Sequence, residues 1–250
     1  MSLKITALPV GEMVGLPRPL THMYRGWTET LGLKVFMFLI EGGEELTLVD
    51  TGTPPPEIAT KVHGYDVRRP PEEDPIAQLA TAGYRPDDVT RIVNTHLHWD
   101  HCGNNGLFTN ATAYVQRAEL EYGENPLPMH TVAYERFPDT PPLWRFADSS
   151  VIAVDGEFEL EPGIRLVPLP GHTPGSQGVL VDCDSGPHLI AGDCVDTYAN
   201  WEGDAAMPHI PSGVYTDLLA YMESFDRIDG LSCTVIPSHD YEVADRGPFQ

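Results

Sequence analysis

The stretch "THLHWDHCG", residues 95–103, holds three histidines and one aspartate within six consecutive positions. Histidine and aspartate are weak helix formers, and side chains of these types are costly to bury without partners. The stretch follows "RIVNT" (91–95), an apolar run with the pattern of a β-strand. We therefore expect a loop that leaves a strand, which is a common position for functional groups.

The spacing within this loop is typical of metal ligands. His96 and His98 are two residues apart, so an extended chain projects them from the same face. Asp100 and His101 follow where the chain must turn before Gly103. A bound dication offsets the cost of burying the carboxylate, and neutral imidazoles are common zinc ligands. The loop is thus predicted to offer two pairs of ligands to metal.

Three further ligand candidates occur downstream in similar settings. His172 lies in "PLPGHTPGS", Asp193 ends "HLIAGD", and His239 follows "CTVIPS". Each stands at the C-terminal end of a strand-like apolar run, so one edge of a sheet structure can gather them all. The remaining histidines lack that placement, and we interpret them as structural: His22, His63, His130, His188 and His209.

The rest of the chain predicts one layered domain of sheets and helices over residues 1–250. Strands are expected at 33–41, 45–50, 91–95, 113–116, 164–170, 178–183, 188–193 and 233–238. Helices are expected at 73–83, with Gly83 as its stop signal, and at 213–228, with Ser212 as its N-cap. Segments 11–32 and 125–150 lack periodicity and are predicted to be long loops on the substrate side.

Composition narrows the range of partners. The formal net charge of −22 disfavours DNA or RNA, because nucleic-acid affinity depends on cationic contacts to phosphate. The longest apolar runs are too short to cross a bilayer, so no membrane partner is expected. "MSLKITALPV" (1–10) lacks the apolar core of a secretory signal, which leads us to expect a cytoplasmic protein with reduced cysteines.

The motifs "THLHWDH", "GHTPGS", "GD" and "SHD" together resemble those of the metallo-β-lactamase superfamily of metal-dependent hydrolases. The resemblance runs from "LTLVDTG" (46–52) to His239 and implies an α/β protein with a four-layer αββα sandwich. It also implies two divalent metal ions, zinc first, with manganese, iron and cobalt as alternatives. In such a site the first ion has the ligands His96, His98 and His172, and the second has Asp100, His101 and His239. Asp193 would bridge both ions, and Asp50 would orient the site without binding metal.

Within the superfamily, residues 73–121 look most similar to the N-acyl-homoserine lactonases, and so do "NWEG" (200–203) and "SHDYE" (238–242). The likeness implies hydrolysis of the signalling lactones of bacteria, known as quorum quenching. One position departs from the group, which usually has tyrosine three residues after the bridging aspartate. This chain has Asp196 there and Tyr198 two residues later, so either Tyr198 reaches the same space or the substrate differs.

The resemblance implies a mechanism in which two ions share a hydroxide that attacks the carbonyl carbon of a lactone or ester. The catalytic candidates are Asp100 or Asp193 for proton transfer and Tyr198 as a hydrogen-bond donor to the oxyanion. An apolar small-molecule substrate is expected to meet side chains of the loops around the site. The candidates for substrate contact are Trp99, Met23, Tyr24, Trp27, Asp196 and Trp201, with Phe137, Trp144 and Phe146 in the second long loop.

Several alternatives stay open at this point. The substrate can be another ester, thioester or lactone, and the chain can form a homodimer. A non-enzymatic alternative is a metal-stabilised binding or oligomerisation module, which the complete set of seven candidate ligands disfavours. A dioxygenase of the same fold is disfavoured because a single iron would leave Asp100, His101 and His239 idle.

Overall fold

The computed structural model describes residues 2–137, 141–144 and 151–250. Twelve strands are found in this part of the chain, and they form two sheets. The strands of the first sheet are β1 Lys4–Pro17, β2 Thr30–Glu41, β3 Thr47–Val49, β4 Asp66–Arg68, β5 Arg91–Val93, β6 Thr112–Gln116 and β7 Val151–Val154. Their order across the sheet is β4-β1-β2-β3-β5-β6-β7.

The second sheet contains β8 Phe158–Glu161, β9 Ile164–Pro168, β10 Gln177–Cys183, β11 Gly186–Ile190 and β12 Thr234–Ile236. Their order is β12-β11-β10-β9-β8. The helices of the described residues are α1 Pro56–His63, α2 Pro75–Thr81, α3 Trp99–Cys102, α4 Arg117–Glu124, α5 Tyr198–Glu202, α6 Leu218–Leu231 and α7 Glu242–Arg246. None of the helices in the described ranges is long and apolar enough to span a membrane.

The layering follows from the alternation of side chains along the strands. In β2, Phe36 and Phe38 point into a core shared with Val179 of the second sheet. The intervening Met37 packs on the opposite face, in a core that also contains Leu79 of α2. The outer face of the second sheet packs against α6 through a third core cluster. The expected four-layer αββα arrangement is confirmed, and it explains why "VFMFLI" is apolar at every position.

The N-terminal expectation was partly wrong. Segment 11–32 is not one loop, because β1 continues to Pro17 and β2 begins at Thr30. The pairing of β1 with β2 shifts register between Pro9 and Glu12, where Gly11 has a φ of +131°. Such a bulge accommodates a glycine and a proline inside a paired strand, which hides the strand from a search for alternation.

The C-terminal helix was predicted with the wrong start. Helix α6 begins at Leu218, and its N-cap is Asp217, whose carboxylate accepts hydrogen bonds from the backbone N–H groups of Leu219 and Ala220. Ser212 instead donates its hydroxyl to Leu20 O at 3.0 Å. Helix α2 agrees with prediction, and Gly83 follows it with a φ of +89°.

The described part of segment 125–150 consists of turns and a 3-10 turn at Pro128–His130, as expected of a loop. Tyr134 and Trp144 of this segment are buried. The expectation for Phe146 falls outside the described residues.

The topology brings the ligand candidates to one edge. Strand β3 runs parallel to β5, so the residues that follow each of them, Asp50 and the stretch from His96, leave the first sheet together. In the second sheet β11 and β12 are parallel, and Asp193 and His239 follow their C-terminal ends. His172 follows β9, which has the same direction as β11 because both are antiparallel to β10.

Candidate metal centre

Seven buried side chains meet at this edge of the two sheets: His96, His98, Asp100, His101, His172, Asp193 and His239. They form three overlapping groups of three residues. Within each group, one nitrogen or oxygen atom from each residue lies within 4.8 Å of the others. The first group is His96, His98 and His172, the second is His96, His101 and Asp193, and the third is Asp100, His101 and His239. The structure therefore brings together all seven ligand candidates of the sequence.

The Asp193 carboxylate lies between the two halves of this cluster. Its Oδ1 is 3.2 Å from Nε2 of both His101 and His239. Its Oδ2 is 3.5 Å from Nε2 of His172 and 3.9 Å from Nε2 of His96. Each oxygen thus faces a different set of imidazoles, which is the arrangement of a carboxylate shared by two cations.

Backbone and side-chain partners outside the cluster fix the imidazole rings. His172 donates Nδ1–H to Val214 O and His239 donates Nδ1–H to Lys34 O, both at 2.8 Å. A carbonyl only accepts, so either ring in its neutral form presents the lone pair of Nε2 to the centre. Partners of this kind set the tautomer and orientation of metal-binding histidines.

Asp50 holds His101 in the same way. Its Oδ2 is 2.8 Å from His101 Nδ1, and its two oxygens accept hydrogen bonds from the N–H and hydroxyl of Thr95 at 2.8 and 2.7 Å. Asp50 has a φ of +58°, a conformation that costs free energy outside glycine. Asp50 thus contacts one of the ligand candidates from outside the cluster, and its orienting role stays a prediction.

The centre separates into neutral and charged imidazoles. Burial, followed by the charge of neighbouring imidazoles, lowers the pKa of His96 and His98 well below the usual value. Burial also lowers the pKa of His239, but the charge of Asp193 outweighs it and raises the pKa to about 9. Burial lowers the pKa of His101 too, but the charges of Asp193, Asp100 and Asp50 together outweigh burial and raise it well above the usual value. The carboxylates therefore require positive charge at this place.

Divalent cations fit that requirement. His96 Nε2 is buried and has no hydrogen-bond partner among the described residues. His98 Nδ1 and His172 Nε2 face each other at 3.0 Å, so a proton on one of them or a cation must separate their lone pairs. Imidazoles and carboxylates are the donors that zinc, manganese, iron and cobalt accept.

A cavity of about 130 Å³ opens onto the cluster. Five of the ligand candidates line it, together with Trp99 and Asp196. The other walls are mostly apolar and come from β1, β2 and the loops around the site: Met13, Leu16, Leu20, Thr21, Leu33, Tyr65, Ala133, Ser212 and Val214. Most of these residues, Tyr65 and Val214 among them, have no local sequence signal, since they reach the site only through the fold.

Trp99 lies where the sequence suggests, at the cavity wall and within the ligand loop. Its ring stacks on His63 at a centroid distance of 3.9 Å, and the backbone N–H of Trp99 donates to Ala133 O at 3.0 Å. The His63 ring in turn pairs with Glu135 at 2.8 Å. These contacts attach α1 and the segment after α4 to the cavity wall.

Met23, Tyr24 and Trp27 line a second groove of about 400 Å³ rather than the cavity itself. Tyr24 and Trp27 stack at 6.3 Å and are largely exposed. Leu20 belongs to the walls of both spaces, so the groove adjoins the cavity.

Two predicted site residues lie elsewhere. Tyr198 packs in the core between the sheets, and the Arg246 guanidinium lies 3.6 Å from its ring centroid. Trp201 stacks on His209 at 4.0 Å and packs toward Phe225 of α6. Helix α5 explains both placements, because it starts at Tyr198 and turns these rings away from the cavity wall. Tyr198, one of the two alternatives for the space at position 196, is not among the residues that line the cavity.

Asp196 occupies that space itself. Its side chain is only 2% exposed and lines the cavity, and neither carboxyl oxygen has a hydrogen-bond partner among the described residues. Burial, followed by the charge of Asp193, raises the pKa of Asp196 well above the usual value. The Ser212 hydroxyl offsets part of that rise, and it also lies 3.0 Å from Leu20 O.

Comparison with known proteins agrees with this geometry. The sequence profile of the metallo-beta-lactamase superfamily matches residues 31–239. The chain belongs to this superfamily, and divalent metal ions are the cofactor that the family and the His/Asp cluster imply.

The most similar relatives include N-acyl homoserine lactonases. One from a Bacillus species is 36% identical over 185 residues, which cover 70% of each chain. The N-acyl homoserine lactonase AttM of Agrobacterium fabrum is 33% identical over 226 residues, which cover 83% of this chain and 82% of that protein.

A solved N-acyl homoserine lactone hydrolase, with the product N-hexanoyl-L-homoserine at its catalytic metal centre, superposes with a TM-score of 0.79. It is 26% identical, and the match covers 99% of this chain and 97% of that one. The chain is accordingly a metal-dependent hydrolase of ester bonds that acts on a small molecule.

Proposed function

We propose that this protein hydrolyses the lactone ring of N-acyl-homoserine lactones. The observation that carries the proposal is the Asp193 carboxylate, which faces imidazoles on both sides at the end of a largely apolar cavity. The relatives that are named N-acyl homoserine lactonases support a lactone over other esters as the substrate.

Two divalent ions, zinc in the first place, are the proposed cofactor. His96, His98 and His172 would hold one ion, and Asp100, His101 and His239 the other, with Asp193 shared. Asp50 would orient His101 without binding metal. Manganese, iron or cobalt fit the same donors.

Ring opening adds water to the carbonyl carbon and breaks the ring C–O bond, which gives a carboxylic acid and an alcohol. Bound divalent ions supply carbonyl polarisation and a lowered pKa of water. The chain must take a proton from the water and return one to the leaving oxygen. Asp100 Oδ2 is 3.8 Å from Nε2 of both His101 and His239 and faces the cavity, so it is the proposed proton acceptor. Asp193 is the second candidate for this role.

The substrate would lie with its ring at the cluster and its acyl chain along apolar walls. Trp99 is the proposed contact to the ring, because its own ring is held rigidly by His63 at the cavity wall. A longer acyl chain would pass Leu20 into the groove of Met23, Tyr24 and Trp27. Tyr198 and Trp201 have no part in this proposal.

The test is a substrate panel on purified protein of measured metal content. We expect acid release from N-acyl-homoserine lactones to exceed that from aryl esters, thioesters and phosphodiesters in kcat/KM. Asp193→Ala and His98→Ala should lose metal and at least about a hundredfold in kcat.

Full metal loading with no turnover of any panel member would favour a binding or oligomerisation module. Faster hydrolysis of a thioester or aryl ester would keep the hydrolase and replace the lactone. One iron per chain with oxygen uptake would point to a dioxygenase instead.

A homodimer and a cytoplasmic location stay predictions from the sequence. Analytical ultracentrifugation tests the first, and cell fractionation of the native host tests the second.

A further inference from the structure

The backbone at Asp196 is hydrogen-bonded to the turn that carries His239. The carbonyl oxygen of Asp196 accepts a hydrogen bond from His239 N at 2.8 Å, and that of Val195 accepts one from Ser238 N at 3.1 Å. These bonds tie the turn after β11 to the turn after β12, and both turns carry ligand candidates. The backbone of Asp196 is thus fixed beside the ligand candidates, and its side chain lines the cavity.

The described residues offer this carboxyl no hydrogen bond of ordinary geometry. Neither oxygen has a partner among the described residues, although buried polar groups are normally hydrogen-bonded. Of the hydroxyls in the adjoining wall, that of Ser212 lies 3.0 Å from Leu20 O, and that of Thr21 contacts Arg18 O and His22 Nδ1. A buried carboxyl without donors lowers stability, so its presence at a cavity wall points to a ligand that satisfies it.

A metal ion does not account for Asp196. The three groups of close nitrogen and oxygen atoms use the other seven side chains and leave Asp196 out. The remaining partners for its oxygens are water and the molecule that displaces water when it enters the cavity.

We propose that Asp196 accepts a hydrogen bond from a donor, an amide N–H or a hydroxyl, that the substrate carries beside its scissile ester. The inference rests on the proposed hydrolysis of lactones and narrows it to a substrate class. The other walls of the cavity are mostly apolar, so a single polar contact of this kind decides orientation and specificity. In an N-acyl-homoserine lactone the amide N–H is attached to the carbon next to the ring carbonyl, so the molecule carries a donor directly beside the reacting bond.

The experiment compares two lactones that differ only in this donor. One is N-hexanoyl-homoserine lactone, and the other is the analogue in which a methylene group replaces the amide N–H. Ring opening is followed by acid release on metal-analysed protein. We expect the wild type to prefer the amide by at least about tenfold in kcat/KM, because a site built to pair with a donor rejects the analogue without one.

Asp196→Ala should reduce kcat/KM for the amide alone, so that the two lactones become equal within about twofold. Asp196→Asn keeps an acceptor oxygen and should retain part of the preference. Asp87→Asn makes the same chemical change on an exposed turn before β5 and should leave the preference as in the wild type. Metal content should be equal in all four proteins.

Binding supplies a readout separate from turnover. The ring-opened amide product should bind the wild type at least about tenfold more tightly than its methylene counterpart, and Asp196→Ala should remove that difference. Equal efficiency of the wild type on both lactones, or equal losses on both in Asp196→Ala, would overturn the inference and leave the lactonase proposal standing. Failure of the loaded wild type to open either lactone would overturn both.

Discussion

Glu119 and Asp196 are both buried acidic side chains near the metal cluster, yet their surroundings are opposite. Glu119 is completely buried in α4 and accepts four hydrogen bonds. Asp196 is buried to nearly the same extent and has no partner among the described residues. The comparison shows that burial alone does not distinguish a carboxyl that holds the fold from one that awaits a ligand. The number of donors that the protein provides does distinguish them.

The Glu119 network connects two ligand loops. Oε1 accepts from Leu97 N at 3.0 Å and from the Tyr134 hydroxyl at 2.7 Å. Oε2 accepts from the Thr173 hydroxyl at 2.6 Å and from Gly175 N at 3.2 Å. Leu97 lies between His96 and His98, and Thr173 follows His172, so one carboxyl positions both loops of the first candidate metal site. Burial still raises the pKa of Glu119 despite these four donors.

The largest expected effect is that of Glu119→Ala, which leaves four buried donors without their acceptor. We expect the free energy of unfolding to fall by about 4 kcal/mol, as for other broken buried networks. We also expect zinc affinity to fall about 10- to 100-fold, because partners behind the ligands tune metal binding to this degree. Urea unfolding and competition with a chromophoric chelator measure the two effects.

Glu121→Ala is the matched control, since Glu121 is exposed on the same helix. It should change neither quantity by more than about 0.5 kcal/mol. A Glu119→Ala protein with wild-type zinc affinity would show that the network holds the fold and not the metal site.

A smaller effect is expected where the ligand loop approaches α4. A Cβ added at Gly175 would lie 2.1 Å from Glu119 N and 2.4 Å from Glu119 Cβ. Gly175→Ala must therefore push the loop of His172 away from α4, and we expect a loss of about 2–3 kcal/mol in unfolding free energy. Gly230→Ala is the control, because its Cβ meets nothing within 4 Å and it lies in α6, where alanine stabilises by about 1 kcal/mol. Equal effects of the two substitutions would contradict the close approach.

The contrast between the two carboxyls was only half visible in the sequence. The seven ligand candidates stand out because each follows a strand-like run, and strand ends meet at one sheet edge. Asp196 stands out only through the departure from the lactonase pattern. Glu119 has no signal, because Glu119, Glu121 and Glu124 look alike on a short polar helix and only packing selects the first. The strand β1 was missed for a similar reason, since a bulge at Gly11 interrupts its alternation. Local patterns predict elements and their ends, whereas contacts between distant elements decide which polar groups are buried.

The smallest expected effect has the opposite sign to that of Glu119→Ala. Asp196→Asn removes a carboxyl that has no hydrogen-bond partner within residues 2–137, 141–144 and 151–250. The free energy of unfolding at neutral pH should therefore rise by up to about 1 kcal/mol in protein without substrate. The pKa of Asp196 is raised in the folded state, so the wild-type carboxyl costs stability above the ordinary aspartate pKa. That cost disappears below the ordinary pKa, where the group is protonated in both states, and so should the gain from Asp196→Asn.

Asp204→Asn is the control for the sign of the stability change caused by Asp196→Asn. Arg25 and the backbone N–H groups of Ala206 and Met207 lower the pKa of Asp204 to about 2, so its carboxylate is favoured by folding. Its substitution should lower stability above that pKa, and the loss should fade as the pH falls toward it. Urea unfolding from pH 3 to pH 8 gives the change in unfolding free energy that each substitution causes. Its slope against pH should have opposite signs for the two variants if the protein provides hydrogen-bond donors to Asp204 and not to Asp196. Slopes of the same sign would mean that a partner within the protein already satisfies Asp196, and the comparison with Glu119 would lose its basis.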